Sequence, residues 1–430
     1  MSKLLRVFPN KKIPDKIVKA NGCYLFTKRK KYLDLTGGST SYAILGWSNP
    51  KVNSSIKKQI KKFNHIDYKV WTDPNLEQLS NILCKNKKNK LDKVYFSGNS
   101  GAEACEAAMR MSYQTHYDSG KPKKRWFISR TQSYHGSTAD ALSLGERPNL
   151  EFYRKGLSQK RARIQMHHPK YLMQKGESLE EYSRRSSSLL EKKILKIGPE
   201  NVAGFVGETI MGGLIGDVPP APNYWKYIRK ICDKYDVHLL LDEIYCGTGT
   251  SGKMYCCDYD DITPDFLFIG KTLAAGYGAL SAVFTTKKIS NIIKNVQGRL
   301  QHTTTYQGHS LSAAAALSVQ KIVNNKKFLD QVNFIGNHMR NILISELNNH
   351  DFFFDVRGRG LRFSFEYKCK NRDMFSEKLG EILKKKHALL ISSKFHRACF
   401  TPPLILTKKQ AETSLDIYIK EFKKLASNWT

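Results

Sequence analysis

Among the many lysines of this sequence, Lys271 stands in unusual company. It follows the apolar run Phe266-Leu267-Phe268-Ile269 and Gly270 and precedes Thr272-Leu273-Ala274-Ala275-Gly276, so little beside it would let its stem reach water. Desolvation lowers the pKa of an amine, and a neutral amine is a nucleophile able to form a Schiff base. A second apolar run, Leu240-Leu241, ends abruptly in Asp242-Glu243. A buried carboxylate there demands a cationic partner, which a protonated ring nitrogen or a metal would supply. No His cluster with ligand spacing stands nearby, and the nine cysteines at positions 23, 84, 105, 232, 246, 256, 257, 369 and 399 form no C-x-x-C pair, so no metal site is signalled. A third segment, Ser97-Gly98-Asn99-Ser100-Gly101-Ala102, runs into helix-forming sequence, where small residues leave backbone N–H groups and the positive helix end open to a phosphate. It is not a Walker loop, because no Gly-Lys-Ser/Thr follows. The fourth, Ser133-Tyr134-His135-Gly136, offers an aromatic face and an imidazole. Taken singly, three of these loops also read as a helix cap, an exposed strand end and a core Tyr–His pair.

Each loop follows a short apolar run that reads as a buried strand. The runs are Val94-Tyr95-Phe96, Trp126-Phe127-Ile128, Ala203 to Val206, His238 to Leu241, Phe266 to Ile269 and Ala279 to Phe284. Helix signals lie between them over Ala102 to Tyr117 and Tyr224 to Tyr235, the latter introduced by Pro222 and Asn223. Strands alternating with helices imply an α/β fold with a mostly parallel sheet covered on both faces, whose ligands sit at the carboxyl ends of the strands. The strand candidates of residues 1 to about 60, with Asp351 to Val356 and Leu361 to Glu366, suggest a smaller domain built from both chain ends. The expected division is 1–60 and 326–430 for that α+β domain and 61–325 for the large one.

Composition narrows the classes. The chain has 430 residues, 40% of them hydrophobic, with 71 Lys and Arg against 38 Asp and Glu, a formal net charge of +33. Disorder and small disulfide scaffolds do not fit. The basic clusters, among them Lys28 to Lys31, Lys85 to Lys90 and Lys384 to Lys386, are scattered among Asn and Ile. They read as a solvated lysine-rich surface, with no nucleic-acid partner called for. No membrane partner is expected either, since no run of about 18 uncharged apolar residues occurs. The opening Met1-Ser2-Lys3-Leu4-Leu5-Arg6 lacks a secretory signal's apolar run, so a cytoplasmic location with reduced thiols is expected.

The four loops together resemble the class III aminotransferases, fold-type I pyridoxal-phosphate enzymes. The similarity runs from about Tyr32 to Pro403, through Gly46-Trp47-Ser48-Asn49-Pro50, Asn99 to Ala104, Tyr134-His135-Gly136, Glu208 to Pro220, Leu241 to Ile244 with Gly247-Thr248-Gly249, Ile269-Gly270-Lys271, Thr305 to His309 and Pro402-Pro403-Leu404. The resemblance implies a large domain on a mostly parallel seven-stranded sheet, pyridoxal 5′-phosphate as cofactor, and a homodimer with shared active sites. By the same resemblance Lys271 forms the Schiff base and Asp242 pairs with the ring nitrogen. Ser100, Gly101 and Ala102 hold the phosphate, Tyr134 and Ile244 bracket the ring, and His135 and Glu208 join the cofactor contacts. Thr305 reaches the phosphate of the neighbouring subunit, while Trp47 and Arg397 face substrate.

The implied reaction is ping-pong transamination from an amine or amino acid to an oxo-acid such as pyruvate or 2-oxoglutarate. An aminomutase, an epimerase or a decarboxylating transaminase would use the same Lys271 and Asp242. Arg357 and Arg359 are rivals of Arg397 for the oxo-acid carboxylate. Four positions depart from the commoner pattern: Tyr245 stands where Gln is frequent, Thr250 where Arg is usual, Thr209 after Glu208 in place of Pro, and Ser310 where Pro usually follows. They bear on substrate choice and leave the cofactor residues intact.

Overall fold

The computed structural model describes residues 3–10, 13–85, 90–147, 150–157 and 160–429. Most of the Lys85 to Lys90 cluster, residues 86–89, lies outside the described residues.

The apolar runs between the helix signals assemble into one seven-stranded sheet. Its order is Leu91–Phe96, Ala282–Thr286, Phe266–Ile269, His238–Asp242, Val202–Glu208, Trp126–Arg130 and Arg161–Ile164. Only Ala282–Thr286 runs antiparallel to its neighbours; the other pairings are parallel. Val202–Glu208 and Phe266–Ile269 are buried along their whole length, as expected for strands covered by helices on both faces. Arg161–Ile164 is the strand that apolar runs do not reveal: at the sheet edge its Arg-Ala-Arg-Ile alternation is half-buried. The run expected from Ala279 begins pairing only at Ala282, because Ser281 is taken up by the phosphate-type loop. Its Oγ lies 2.7 Å from Ser97 Oγ and donates to the Ser100 carbonyl at 2.8 Å.

Helices close both faces. Gly101–Asp118 starts at a capping box in which Ser100 Oγ accepts from the Glu103 N–H and the Glu103 carboxylate accepts from the Ser100 N–H. Its buried face is mostly Ala, Cys and Met, which lets it lie close to the strands. Tyr224–Lys234 buries Tyr224, Trp225, Ile228 and Cys232 along one stripe. Gly207 of the neighbouring strand has no room for a side chain, since a Cβ there would lie 2.8 Å from the Trp225 ring.

The chain ends meet, as their strand candidates suggested. Lys31–Asp34 pairs in parallel with Leu389–Leu390, and a second sheet holds Phe353–Arg359, Arg362–Tyr367, Arg397–Phe400 and Ser392–Lys394. One core joins Leu35, Ile44 and Val52 to Val332, Phe365, Phe400 and Phe422. No helix among the described residues is long and apolar enough to cross a membrane, and all nine cysteines are free thiols.

Candidate active site

Four loops leave the sheet at the same edge, the carboxyl ends of its parallel strands, and glycines let them touch. A Cβ on Gly101 would lie 2.7 Å from Ile244, one on Gly270 3.0 Å from Ile244, and one on Gly136 2.5 Å from the Ala102 Cβ. The helix start at Gly101, the turn after Asp242, the lysine loop and the Tyr134 loop are thus packed against one another. The first-turn N–H groups of Gly101 and Ala102 have no carbonyl four residues back, so they remain available to an anion.

Asp242 ends its strand buried. Its Oδ2 accepts from His135 Nδ1 at 2.8 Å and its Oδ1 from the Ile244 N–H at 3.0 Å, leaving each oxygen a lone pair for a further donor. The other ring nitrogen of His135, Nε2, is buried without a partner among the described residues. Glu208, at the end of the adjacent strand, accepts from the Tyr134 N–H at 3.2 Å and the Gly212 N–H at 3.0 Å. Burial pushes its carboxyl above the ordinary range, with His135 opposing and Asp242 adding to the rise. The two carboxylates that end the strand therefore part company. Glu243 turns away from the site and accepts from the backbone N–H groups of Cys256 and Cys257 at 2.6 and 2.7 Å, pinning the loop 244–257. Burial pushes the Glu243 carboxyl up to about 7.

Lys271 makes no hydrogen bond or ion pair with a described residue. Its Nζ lies 4.9 Å from the centre of the Tyr245 ring. Burial pushes its pKa below the ordinary lysine value, Asp242 and Glu208 work against that change, and Arg362 works with it. A largely desolvated amine without a hydrogen-bond partner beside a buried carboxylate is equipped for nucleophilic attack and proton transfer.

The remaining sequence candidates fall around this centre in different ways. Tyr134 is half-buried, with the Arg147 guanidinium 5.4 Å from its ring centre. Trp47 stands edge-on to Tyr42 at 6.1 Å, and Tyr42 in turn packs on Gly276 of the lysine loop. Thr305 is exposed on this chain, its carbonyl accepting from His65 Nε2 at 3.1 Å. Arg397 is only 2% exposed, and its guanidinium donates to the Leu214 carbonyl at 2.6 Å. Arg397 is thus a buried side chain held by a backbone carbonyl. Arg357 is paired with Glu366 and Asp355, and Arg359 with Asp260, so both rivals already have carboxylate partners. Two residues beside Lys271 are not singled out by the sequence. Tyr245 is visible there only as a departure from a pattern, and Arg362 is one arginine among several in Arg357-Gly358-Arg359-Gly360-Leu361-Arg362.

These residues fit pyridoxal 5′-phosphate on structural grounds. The helix start offers N–H groups to the phosphate, Asp242 offers a buried anion to a ring nitrogen, His135 Nε2 awaits a partner, and Lys271 is a desolvated amine with none.

Comparison with known proteins agrees. The family model for aminotransferase class-III matches residues 8–422. Gamma aminobutyrate transaminase 2 of Solanum lycopersicum is 32% identical over 95% of this chain and 91% of its own length. The vanillin aminotransferase of Capsicum chinense is 31% identical over 95% and 91%. The omega transaminase from Pseudomonas jessenii, solved in complex with PMP, superposes with a TM-score of 0.88 at 26% identity, covering 96% of this chain and 92% of that one. With the family model spanning nearly the whole chain and the fold shared with a transaminase solved with PMP, the chain belongs to the class III aminotransferases, which are pyridoxal-phosphate-dependent.

Proposed function

We propose that Lys271 and Asp242 are the catalytic pair of a transamination that takes the amino group from an amine or amino acid and delivers it to a small oxo-acid, pyruvate or 2-oxoglutarate. The single observation that carries this reading is the half-buried Lys271, its amine free of hydrogen bonds among the described residues, at the same strand edge as the Asp242–His135 pair. Bound there, pyridoxal 5′-phosphate supplies the electron sink that lets the donor's Cα release its proton, and it carries the amino group between the two substrates. Lys271 Nζ takes the proton from the donor Cα and in the second half-reaction returns one to the acceptor Cα. Asp242, held by His135 and the Ile244 N–H, keeps a negative charge fixed at the ring nitrogen. Ser100, Gly101 and Ala102 bind the phosphate, and Tyr134 and Ile244 keep water from the ring faces.

Arg397 is assigned to the oxo-acid carboxylate, a reading supported by its buried Nε, which has no partner among the described residues. Arg397→Ala should then raise the KM for the oxo-acid with little change for an uncharged amine donor; an unchanged KM for every oxo-acid removes Arg397 from the site. A homodimer is proposed on the exposure of Thr305, with Val70, Trp71 and Tyr306, also exposed, offering apolar surface to a second copy. Mixing Lys271→Ala with a Gly101 and Thr305 double variant should restore part of the activity through hybrid dimers, and an active monomer on ultracentrifugation would rule the dimer out. The division at about residues 60 and 325 is proposed on the core shared by the two chain ends. The nine free thiols support a reducing compartment, the cytoplasm.

The test of the reaction is an absorbance spectrum of the purified protein followed by a donor screen. A borohydride-sensitive visible band, and formation of alanine from pyruvate or glutamate from 2-oxoglutarate, are the expected results. γ-Aminobutyrate belongs in the screen because relatives are named for it. Amine-dependent chemistry without oxo-acid consumption would point to a mutase or an epimerase.

A further inference from the structure

Tyr245 is held in place by a side chain from a distant part of the sequence. Arg362 opens the strand Arg362–Tyr367 in the sheet near the carboxyl end of the chain, and it is fully buried. One terminal nitrogen donates to Asp217 Oδ1 at 2.9 Å and the other to the Tyr245 carbonyl at 2.5 Å. Asp217 is fixed in turn, its Oδ2 accepting from Ser364 Oγ at 2.7 Å. The guanidinium lies over the Tyr245 ring, and Gly212, which has no room for a Cβ, packs against that ring. Lys271 Nζ rests 4.9 Å from the centre of the same ring.

We propose that Arg362 is a positioning residue for Lys271: anchored by Asp217 and laid on the Tyr245 ring, it fixes the surface on which the lysine amine rests. This rests on the reading of Lys271 as the working amine. The physical case has two parts. A flat guanidinium gripped by a buried carboxylate and a carbonyl cannot rotate, so the ring beneath it cannot tilt, and the amine keeps one approach to its neighbours. Charge adds to geometry. Among the described residues, the groups acting most strongly on Lys271 are Asp242, Arg362, Glu208 and Cys246, with the Tyr245 ring beside its amine, and Arg362 is the cation of this set. Asp242 and Glu208 favour the protonated amine, whereas Arg362 favours the neutral form that attacks. Buried ion pairs are poor stabilisers compared with apolar packing, so stability alone is a weak account of this cation. The contact also ties the placement of the lysine to the seating of the carboxyl-terminal sheet against the large one.

Competitive acetylation of the cofactor-free protein with trace acetic anhydride, read at the Lys271 peptide by mass spectrometry across pH, measures this amine without turnover. Arg362→Met is expected to move the Lys271 midpoint upward by about one pH unit, which lowers its reactivity at neutral pH by about tenfold. Arg362→Lys, which keeps the charge without the flat fork, is expected to give a smaller change, and Tyr245→Phe none. In a Tyr245→Leu background Arg362→Met should have less than half its effect, since the ring transmits it. Arg229→Met, which breaks the ion pair between Arg229 and Asp265, serves as the control: it should lower thermal stability without moving the Lys271 midpoint. The proposal is overturned if Arg362→Met lowers stability alone, or if its effect and that of Tyr245→Leu simply add. Should Arg362→Met not fold, Arg362→Lys and Tyr245→Leu decide by the same readout, an unmoved Lys271 in both counting against it. Turnover by Lys271→Ala would defeat the catalytic assignment while leaving these labelling results standing, so the two failures are distinguishable.

Discussion

The two ends of the central sheet each hold a lysine among titratable groups, and only one end leaves its lysine without a hydrogen bond to a described residue. At the amino-terminal ends of the strands, Lys124 is 5% exposed and donates to the carbonyls of Pro199, Val202 and Tyr235 at 3.0, 3.1 and 3.2 Å. Beside it His116 and His238 stack at 3.9 Å, one bonded to the Ala203 carbonyl and the other to Ser112 Oγ. At the carboxyl ends Lys271 has a ring face and no hydrogen bond to a described residue, and His135 Nε2 has no partner. Burial lowers the pKa of both lysines, so a lowered pKa by itself does not tell the ends apart. Saturation does. Where every donor has a backbone acceptor the cation knits loops together, and where donors are left over the fold has prepared a place for something else.

The sharpest way to break this contrast is to remove the two lysines in turn. Lys271→Ala should abolish turnover while the melting temperature stays within a few degrees, because the change leaves a small residue in a small-residue turn. Multiple turnovers without added amine would end the assignment. Asp242→Asn comes next: it should retain cofactor and slow proton abstraction by about 10²- to 10⁴-fold, since a neutral amide cannot hold a ring nitrogen protonated. Near-normal single-turnover rates would separate Asp242 from the chemistry. Lys124→Met should do the reverse, costing about 1–3 kcal/mol in urea unfolding by stranding carbonyls and leaving kcat unchanged. A fall in kcat would mean that the two ends communicate.

A further effect is in pH. Burial pushes both His116 and His238 down to about 3. Their folded values lie below the unfolded value near 6.5, so between about 6.5 and 3 the unfolded chain binds more protons and stability falls as pH falls. The loss is at most about 1.4 kcal/mol per pH unit for each imidazole, and it is absent above that window. His116→Gln with His238→Gln should flatten the slope of stability against pH in unfolding experiments, and an unchanged slope would show that other groups carry it.

Much of the site is legible in the chain because its chemistry sits in contiguous loops. Lys271 betrays itself by apolar and small neighbours, Asp242 by ending an apolar run, and the Ser100 loop by its small residues before a helix. These signals are local, set by burial and by helix-start geometry. Arg161–Ile164 was not legible, because an edge strand needs no continuous apolar run, and neither was the start of Ala282–Thr286, which depends on Ser281 bonding to a loop far away in sequence.

The sequence by itself determined the alternation of strands and helices, which follows from residue type and near neighbours, and through its resemblance to the class III aminotransferases it pointed to the class of chemistry and to Lys271 as the candidate amine. Tertiary structure supplies the physical reason why the two adjacent carboxylates differ: Asp242 meets His135, while Glu243 is claimed by the backbone of Cys256 and Cys257. It decided too which arginine stands behind Lys271. Arg357, Arg359 and Arg362 lie within six residues of one another and carry the same charge. Asp355 and Glu366, from the same sheet as the arginines, take the first, Asp260 takes the second and Asp217 the third, and only the folding of the distant segments that carry Asp217 and Asp260 against this sheet brings the last two within reach.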